Sequence, residues 1–329
     1  MALKRFKLEK NDFFTFSILI SFFFFTGGCI SHNPSVNDSL SSSTIPLLNS
    51  TSDNMPKFIA ISAGLFHSLA LKSDGTVIIW GEDDQGFQKK IPQNLTDVES
   101  IAAGYEYNIV LKRDGSVIVW GKPENLYMIS ALSNVSDITA ISAGDAYGLA
   151  LKKDGTVVSR GHYLGGILDV PKNLSNITNI SAGGTFGLAL KNDGTIIEWG
   201  DSREGQSDIP ANLTNVTAIS AGTWHGLALK TDGTVVGWGG NGDNQATIPA
   251  NLNDVTAVSA GGNHSLALRS NGTVVAWGDN HLGQSAVPAG LHDVKAISAG
   301  GGFSLALKKD GKIVCWGANY SGQCQVPDN

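Results

Sequence analysis

Residues 255–288 read Val255-Thr-Ala-Val-Ser-Ala-Gly261, Gly262-Asn263, His264-Ser-Leu-Ala-Leu-Arg269, Ser270-Asn271-Gly272, Thr273-Val-Val-Ala-Trp277-Gly278, a polar loop, and Gln284-Ser-Ala-Val-Pro288. The first piece is β-branched and then small. The second alternates as a half-buried strand does. Asn271-Gly272 tolerates the positive φ angles of a two-residue hairpin turn, and Asp-Gly fills that place elsewhere, as at Asp74-Gly75 and Asp232-Gly233. Thr273–Gly278 is a further strand. Gln284–Pro288 is expected to be a short outer strand, with its proline at an edge where no donor is needed.

The phrase Ile-Ser-Ala-Gly recurs at Ile61, Ile101, Ile141, Ile180, Ile219, Val258 and Ile297, with Ala102 once in place of serine and Val258 once in place of isoleucine. Successive spacings are 40, 40, 39, 39, 39 and 39 residues. A fixed period of this size marks a repeat architecture. Three or four short strands per unit, seven units and no helical periodicity in the repeats predict an all-β, seven-bladed β-propeller over 56–329, because a ring disposes of the two open ends of a stack. The small Ser-Ala-Gly end suits a crowded inner rim. Trp80, Trp120, Trp199, Trp238, Trp277 and Trp316 share one repeat position and are expected to pack between blades.

Two units depart from the pattern. Unit two has Pro123-Glu-Asn-Leu-Tyr127-Met where others have Gly-Gln-x-x-Val-Pro, and unit three has Arg160 where the tryptophan belongs. With no chemistry clustered there, both read as drift.

The phrase Ala-Gly-x-x-His-Ser-Leu-Ala-Leu-x-x-Asp-Gly-Thr-Val-x-x-Trp-Gly, shown almost letter for letter at 261–278, resembles the repeat of the regulator of chromosome condensation family. The resemblance covers all seven units and implies the same seven-bladed ring. The ending at 277–288 is similar to the short-loop branch of bacteria and archaea that includes a secreted β-lactamase-inhibitor propeller. It lacks the extra loops and basic tail of the nuclear exchange factor, so guanine-nucleotide exchange is not expected. A net charge of -6 also disfavours a nucleic-acid partner.

The N-terminus reads as an address. Lys4, Arg5, Lys7 and Lys10 precede an apolar run from Phe13 to Phe25, followed by Thr26-Gly27-Gly28-Cys29. Charged, apolar and small residues in that order are those of a signal peptide, expected over 1–28. The run is short of the roughly 20 residues of a membrane-spanning helix. Cysteine after two glycines resembles a prokaryotic lipobox, with Thr26 where an aliphatic residue is usual, so Cys29 is the expected lipidation site. The alternative is an ordinary cleaved signal or an uncleaved anchor. Residues 29–55 form a tether rich in Ser, Thr and Asn, with too little apolar surface to offset the entropy of ordering. The expected location is therefore the cell envelope or surface, lipid-anchored, or else secreted.

No catalytic residues are assigned. The sequence holds no GxSxG elbow, phosphate loop or HExxH. Ser73–Trp80 has the wrong spacing for a sialidase aspartate box, and Arg113, Arg160, Arg203 and Arg269 fall at different kinds of repeat position, whereas a carboxylate clamp needs convergent arginines. His67, Tyr107, Tyr147, Phe186, His225, His264 and Phe303 share one position, where the common property is a flat ring, so packing is expected there and neither metal nor cofactor. Lys72, Lys112, Lys152, Lys191, Lys230, Arg269 and Lys308 precede the turns and read as solvated guards. Cys315 and Cys324 stand in the last unit. In an oxidising compartment leftover thiols often pair, and a bridge here would pin the C-terminal segment where the ring closes; geometry decides it.

The two residues after each Ala-Gly vary most, and in a propeller these connections share one face, where specificity can be stored. In the inhibitor propeller, aromatics at such loop positions contact the partner enzyme. The resemblance carries over to Phe66, Tyr105 and Trp224 as candidate binding residues, the alternative being that Trp224 packs on its neighbouring blade. The expected function is binding of an extracytoplasmic protein partner without catalysis. Lectin-like or glycan-hydrolysing action, or a structural envelope role, are the alternatives.

Overall fold

The computed structural model describes residues 55–81, 89–162, 165–172 and 174–328. The signal peptide, Cys29 and all of the tether but Met55 lie outside them.

Seven three-stranded antiparallel sheets follow one another at 58–81, 98–121, 138–161, 177–200, 216–239, 255–278 and 294–317. In blade one the strands are Phe58–Ala63, His67–Lys72 and Val77–Gly81, hydrogen-bonded in sequence order. The middle strand is buried along nearly all its length in every blade, so its two faces serve two neighbouring blades. Each first strand packs against the first strands of both adjacent blades, blade seven meeting blade one, and these strands line the axis. The chain is a seven-bladed β-propeller.

The recurring residues have local causes. Asp-Gly turns set glycine in the left-handed region, φ +85° at Gly75, and the aspartate accepts the amide two residues on, Thr76 N to Asp74 Oδ1 at 2.9 Å. Asn94, Asn212 and Asn251 also have positive φ, of 60°, 67° and 64°, and Gly290 stands at the corresponding place with 76°. That accounts for the recurrence of Asn-Leu-Thr as a turn phrase, since asparagine tolerates this conformation.

Two expectations change. Gln284–Pro288 forms turns and irregular chain instead of a fourth strand. Its role is to present a carbonyl oxygen, described below. A helix, α1 (Pro123–Ile129), continues as a 3-10 turn over Ser130–Asn134 after blade two. Seven residues are too few for a visible helical period, though Pro123 at its first turn suits a helix start.

This helix also replaces the drift reading of units two and three. In blades four and five the tryptophan ring lies over the glycine second in the middle strand: a Cβ on Gly187 would come within 2.5 Å of Trp199, and one on Gly226 within 2.4 Å of Trp238. In blade three, where Arg160 stands outside and exposed, the same spot over Gly148 is filled by Leu132 and Ile109, each 2.7 Å from where a Cβ would lie, with Ile129 behind them at 3.7 Å. Leu132 and Ile129 are fully buried with Tyr107, Ile109 and Val117. The lost outer segment of unit two and the lost tryptophan of unit three are one compensated exchange.

Candidate functional site

Most side chains that recur from blade to blade bind the next blade. Serine near the end of each first strand accepts the backbone amide of the following blade, as in Ala103 N to Ser62 Oγ at 2.8 Å and Ala182 N to Ser142 Oγ at 2.9 Å. The same bond closes the ring, Ala63 N to Ser298 Oγ at 3.0 Å. Ala102 interrupts this belt, because an alanine side chain accepts nothing.

The indoles of Trp80, Trp199, Trp238, Trp277 and Trp316 reach into the preceding unit. Trp238 Nε1 donates to the carbonyl of Gln206 at 2.8 Å, Trp277 to Gln245 at 2.9 Å and Trp316 to Gln284 at 2.8 Å. Trp80 does so across the closure, to Gln323 at 2.8 Å. The glutamine side chains are buried and fold their own loops, accepting the amide two residues before, as from Leu282 N at 2.9 Å. The recurrence of Gly-Gln-x-x-Val-Pro was the available signal for this role, but a sequence does not show a carbonyl's direction.

The shared ring position is a latch of the same kind. Tyr107 donates to the carbonyls of Gly144 and Tyr147, and Tyr147 to those of Gly183 and Phe186. Burial pushes both phenols well above their ordinary pKa. His225 Nε2 lies 2.9 Å from Ser265 Oγ, which itself donates to Gln245 O, so the imidazole is the donor. His264, Ser304 and Gln284 repeat this arrangement. His67 Nε2 contacts Asn108 Oδ1. The glycine of Ala-Gly is needed because the ring lies on it: a Cβ at Gly222 would meet His225 at 2.7 Å. Desolvation lowers the pKa of His225 to about 3 and that of His264 to about 4. All three histidines are fully buried. Among the described residues no cluster of His, Cys, Asp and Glu is suited to a metal.

The loops following Ala-Gly and Trp-Gly meet on one face, tied by backbone bonds such as Ala318 N to Gly302 O and Gly240 N to Trp224 O. The Asp-Gly turns occupy the opposite face. There Lys112, Lys152 and Lys230 pair with the aspartate of their own turns at 3.3–3.6 Å, and Lys72 lies over the Phe58 ring at 5.2 Å. Such exposed pairs are worth little. The arginines do not converge. Arg203 binds Asp201 on the loop face, Arg160 bonds to a backbone carbonyl of its own strand, and Arg269 lies 3.5 Å from the Asn251 carbonyl at a turn.

Of the three candidate aromatics, Phe66 and Tyr105 come together, with ring centroids 6.3 Å apart and planes at 69°. A third ring joins them. Tyr320, from the Trp-Gly loop of blade seven, lies 6.1 Å from Phe66 at 61° and is 68% exposed. Because the ring closes, residues 66 and 320 are neighbours. Trp224 stands in blade five, apart from this cluster, half-buried with its Cβ against Gly240. Cys315 and Cys324 form a disulfide, Cα atoms 5.2 Å apart, flanking the Gln323 carbonyl that holds blade one.

The geometry therefore defines a repeat propeller whose loops project from one face. The family model for the regulator of chromosome condensation (RCC1) repeat matches residues 58–86, 216–245, 255–284 and 294–323, so the chain carries RCC1 repeats in blades one, five, six and seven. The fold is similar to the CRINKLY ectodomain of the Arabidopsis thaliana receptor kinase ACR4, with TM-score 0.63, 20% identity, and 82% of this chain and 98% of that one covered. It is also similar to the ectodomain of the Physcomitrella patens receptor kinase CR4, with TM-score 0.63, 19% identity and coverage of 80% and 74%. Human WBSCR16 gives TM-score 0.59, 18% identity and coverage of 75% and 85%. No curated protein sequence matches the chain.

Proposed function

We propose that this chain is a surface-anchored, non-catalytic propeller that binds an extracytoplasmic protein partner through the face bearing the Ala-Gly and Trp-Gly loops. One observation carries the reading. The Ser, Trp, Gln and His or Tyr positions that recur are engaged in blade-to-blade bonds, whereas the two residues after each Ala-Gly on this face differ in every blade and include clustered aromatics. Variation displayed on a rigid scaffold is how binding proteins store specificity. The N-terminal signal and Cys29 support attachment to a membrane through lipid, with 30–55 as spacer. The acidic balance supports a partner other than nucleic acid, and no exchange activity toward a guanine-nucleotide protein is assigned.

Affinity capture from envelope and secreted extracts tests this, comparing wild type with Phe66→Ala and Trp224→Ala on the loop face and Lys152→Ala on the turn face. A defined protein retained by wild type and Lys152→Ala, and lost by a loop-face variant, supports the assignment. Loss through Lys152→Ala alone places binding on the other face. Saturable glycan retention without protein moves the function to the lectin class.

A further inference from the structure

On the turn face, six of the junctions between blades share one construction. The chain enters each following blade through an Asp or Asn with positive φ: Asp97, Asp137, Asn176, Asn215, Asp254 and Asp293. The carbonyl of that residue accepts an amide beside the turn, as from Arg113 N to Asp97 O at 3.0 Å and from Lys309 N to Asp293 O at 2.8 Å. Where blade seven meets blade one, Lys57 O accepts Ser73 N in the same way at 2.9 Å. A base therefore stands where the other junctions carry an acid or its amide. Its stem lies along blade seven: a Cβ on Gly311 would come within 3.2 Å of Lys57 Cβ.

A pocket of about 580 Å³ opens at this seam, lined among others by Lys57, Ser73 and Asp74 of blade one and Lys295 and Lys309 of blade seven. Lys295 Nζ donates to the Phe58 carbonyl at 3.3 Å. Burial holds this amine below its ordinary pKa against the pull of Asp310, and Lys57 adds like charge. Lys57, Lys295 and Lys309 form no ion pair among the described residues. The five positions 57, 73, 74, 295 and 309 hold three lysines and one aspartate, a balance of +2 by subtraction. The equivalent five between blades six and seven, Asp293, Lys309, Asp310, Thr256 and Ser270, balance to -1. Those between blades three and four, Asn176, Asn192, Asp193, Thr139 and Lys153, balance to 0. The turn aspartate is inside each count. Asp310, the further acid acting on Lys295, is offset by Lys308 and Lys312, whose charges act on it.

A concave site with two uncompensated positive charges suits a dianion. Lysine binds phosphate as a point charge, and a phosphate monoester carries close to two negative charges at neutral pH. We infer that the seam pocket binds a phosphate monoester group held by Lys57, Lys295 and Lys309. The site lies on the face opposite the variable loops and does not depend on the loop-face reading. Soluble molecules and lipid heads both carry such a group. Met55 and Ile59, 59% and 46% exposed in the lining of the pocket, offer apolar surface to a lipid.

The test is a phosphorus magnetic resonance titration of the full chain in nonionic detergent. The probes are methyl phosphate, its singly charged diester dimethyl phosphate, dibutyryl phosphatidic acid, and dibutyryl phosphatidylcholine. Lys57→Asp and Lys295→Thr introduce residues that stand at the same positions of other blades, so both should fold, which tryptophan-monitored melting checks. Lys152→Ala, at the turn of blade three, is the control. Expected is saturable methyl phosphate binding, about 10-fold tighter than dimethyl phosphate. Lys295→Thr should weaken it roughly 10-fold, the size of one charge-assisted bond, Lys57→Asp should weaken it further, and the control should leave it unchanged. Phosphatidic acid binding as methyl phosphate does supports the pocket with a soluble source. Phosphatidic acid binding about 10-fold tighter, with phosphatidylcholine unbound, supports it with a lipid source. Equal binding of dimethyl phosphate, or no binding of either monoester, overturns the phosphate assignment. Unchanged affinity in both seam variants, or an equal loss in Lys152→Ala, overturns the pocket. None of these results bears on capture by the loop face.

Discussion

Lowering pH should weaken this fold through two buried histidines. His225 and His264 are fully buried, each donating from Nε2 to a serine, with Nδ1 meeting no partner. Protonation would place an unmatched N–H and a charge between blades, which is why burial holds their pKa at about 3 and about 4 against an ordinary 6.5. The sign follows directly. Below pH 6.5 the unfolded chain takes up a proton at each histidine and the folded chain does not, so stability present above 6.5 is lost as pH falls toward 4. Each histidine contributes a slope of about 1.4 kcal/mol per pH unit, and from pH 7 to 4.5 the pair removes roughly 5 kcal/mol. The turn aspartates, such as Asp74 and Asp114, have carboxyls held below their ordinary range by bonds to the turn and titrate beneath this window. Glu198, raised by burial, works in the opposite sense and does so equally in wild type and variant. The perturbation is His225→Phe, since Phe186 and Phe303 already occupy equivalent positions. Urea unfolding followed by tryptophan fluorescence at pH 7 and 4.5 should show the variant losing about 2.5 kcal/mol less than wild type across that interval. Equal losses would refute the argument, because the titrating groups would then lie elsewhere.

Three further outcomes are expected. Trp199→Ala should cost about 3–5 kcal/mol by emptying a packed site and removing the shorter of the two bonds to the Ile167 carbonyl, while Arg160→Ala, exposed at the same repeat position, should change stability by less than about 0.5 kcal/mol in denaturant titrations. Ala102→Ser restores the missing acceptor of the inner belt and should stabilise by about 0.5–1.5 kcal/mol, read as a higher melting temperature by calorimetry; a lower one means the hydroxyl does not fit. Removing the Cys315–Cys324 bridge, nine residues apart, should cost about 2.5 kcal/mol, with reductant lowering the urea midpoint of wild type and leaving that of the Cys315→Ser, Cys324→Ser double variant unmoved.

The ring, its seven blades and the fate of the hairpins were legible because they depend on local chemistry repeated at a fixed spacing. Asp-Gly fixes a turn whatever surrounds it, and the alternation of His264–Arg269 marks a strand buried on both sides once blades stack. What was illegible depends on pairings between units. Nothing in Gln245 as a residue says that its carbonyl receives both Trp277 and Ser265. Reading neighbouring units together does reveal a rule for the latch. His225 and His264 face Ser265 and Ser304, and His67 faces Asn108, each supplying an oxygen at reach. Tyr107 and Tyr147 bypass that position, which is Gly148 and Gly187, and bond to backbone instead. At the site, Phe66 and Tyr105 were visible as variable loop aromatics. Tyr320 was missed because it comes from a different loop of the repeat, 254 positions away by subtraction, and only closure brings it beside Phe66.

Closure itself separates scaffold from function. Blade seven meets blade one through the bonds that join most other pairs, Ser298 to Ala63 and Gln323 to Trp80, so the seam repeats the chemistry of its neighbours and adds one disulfide. A ring so joined tolerates a local exchange when the neighbour compensates, as α1 does for the missing tryptophan of blade three. It does not tolerate loss of a recurring side chain without one. The exposed loop tips face a weaker demand, because water already covers much of their side-chain surface. An aromatic such as Tyr320, two-thirds exposed on the loop face, offers apolar surface whose burial against a partner would be favourable. Stability should thus map onto the recurring positions and affinity onto the loop tips. Substitutions at the Phe66 corner should change binding with small effects on unfolding, and substitutions at Trp199 or Trp238 should do the reverse.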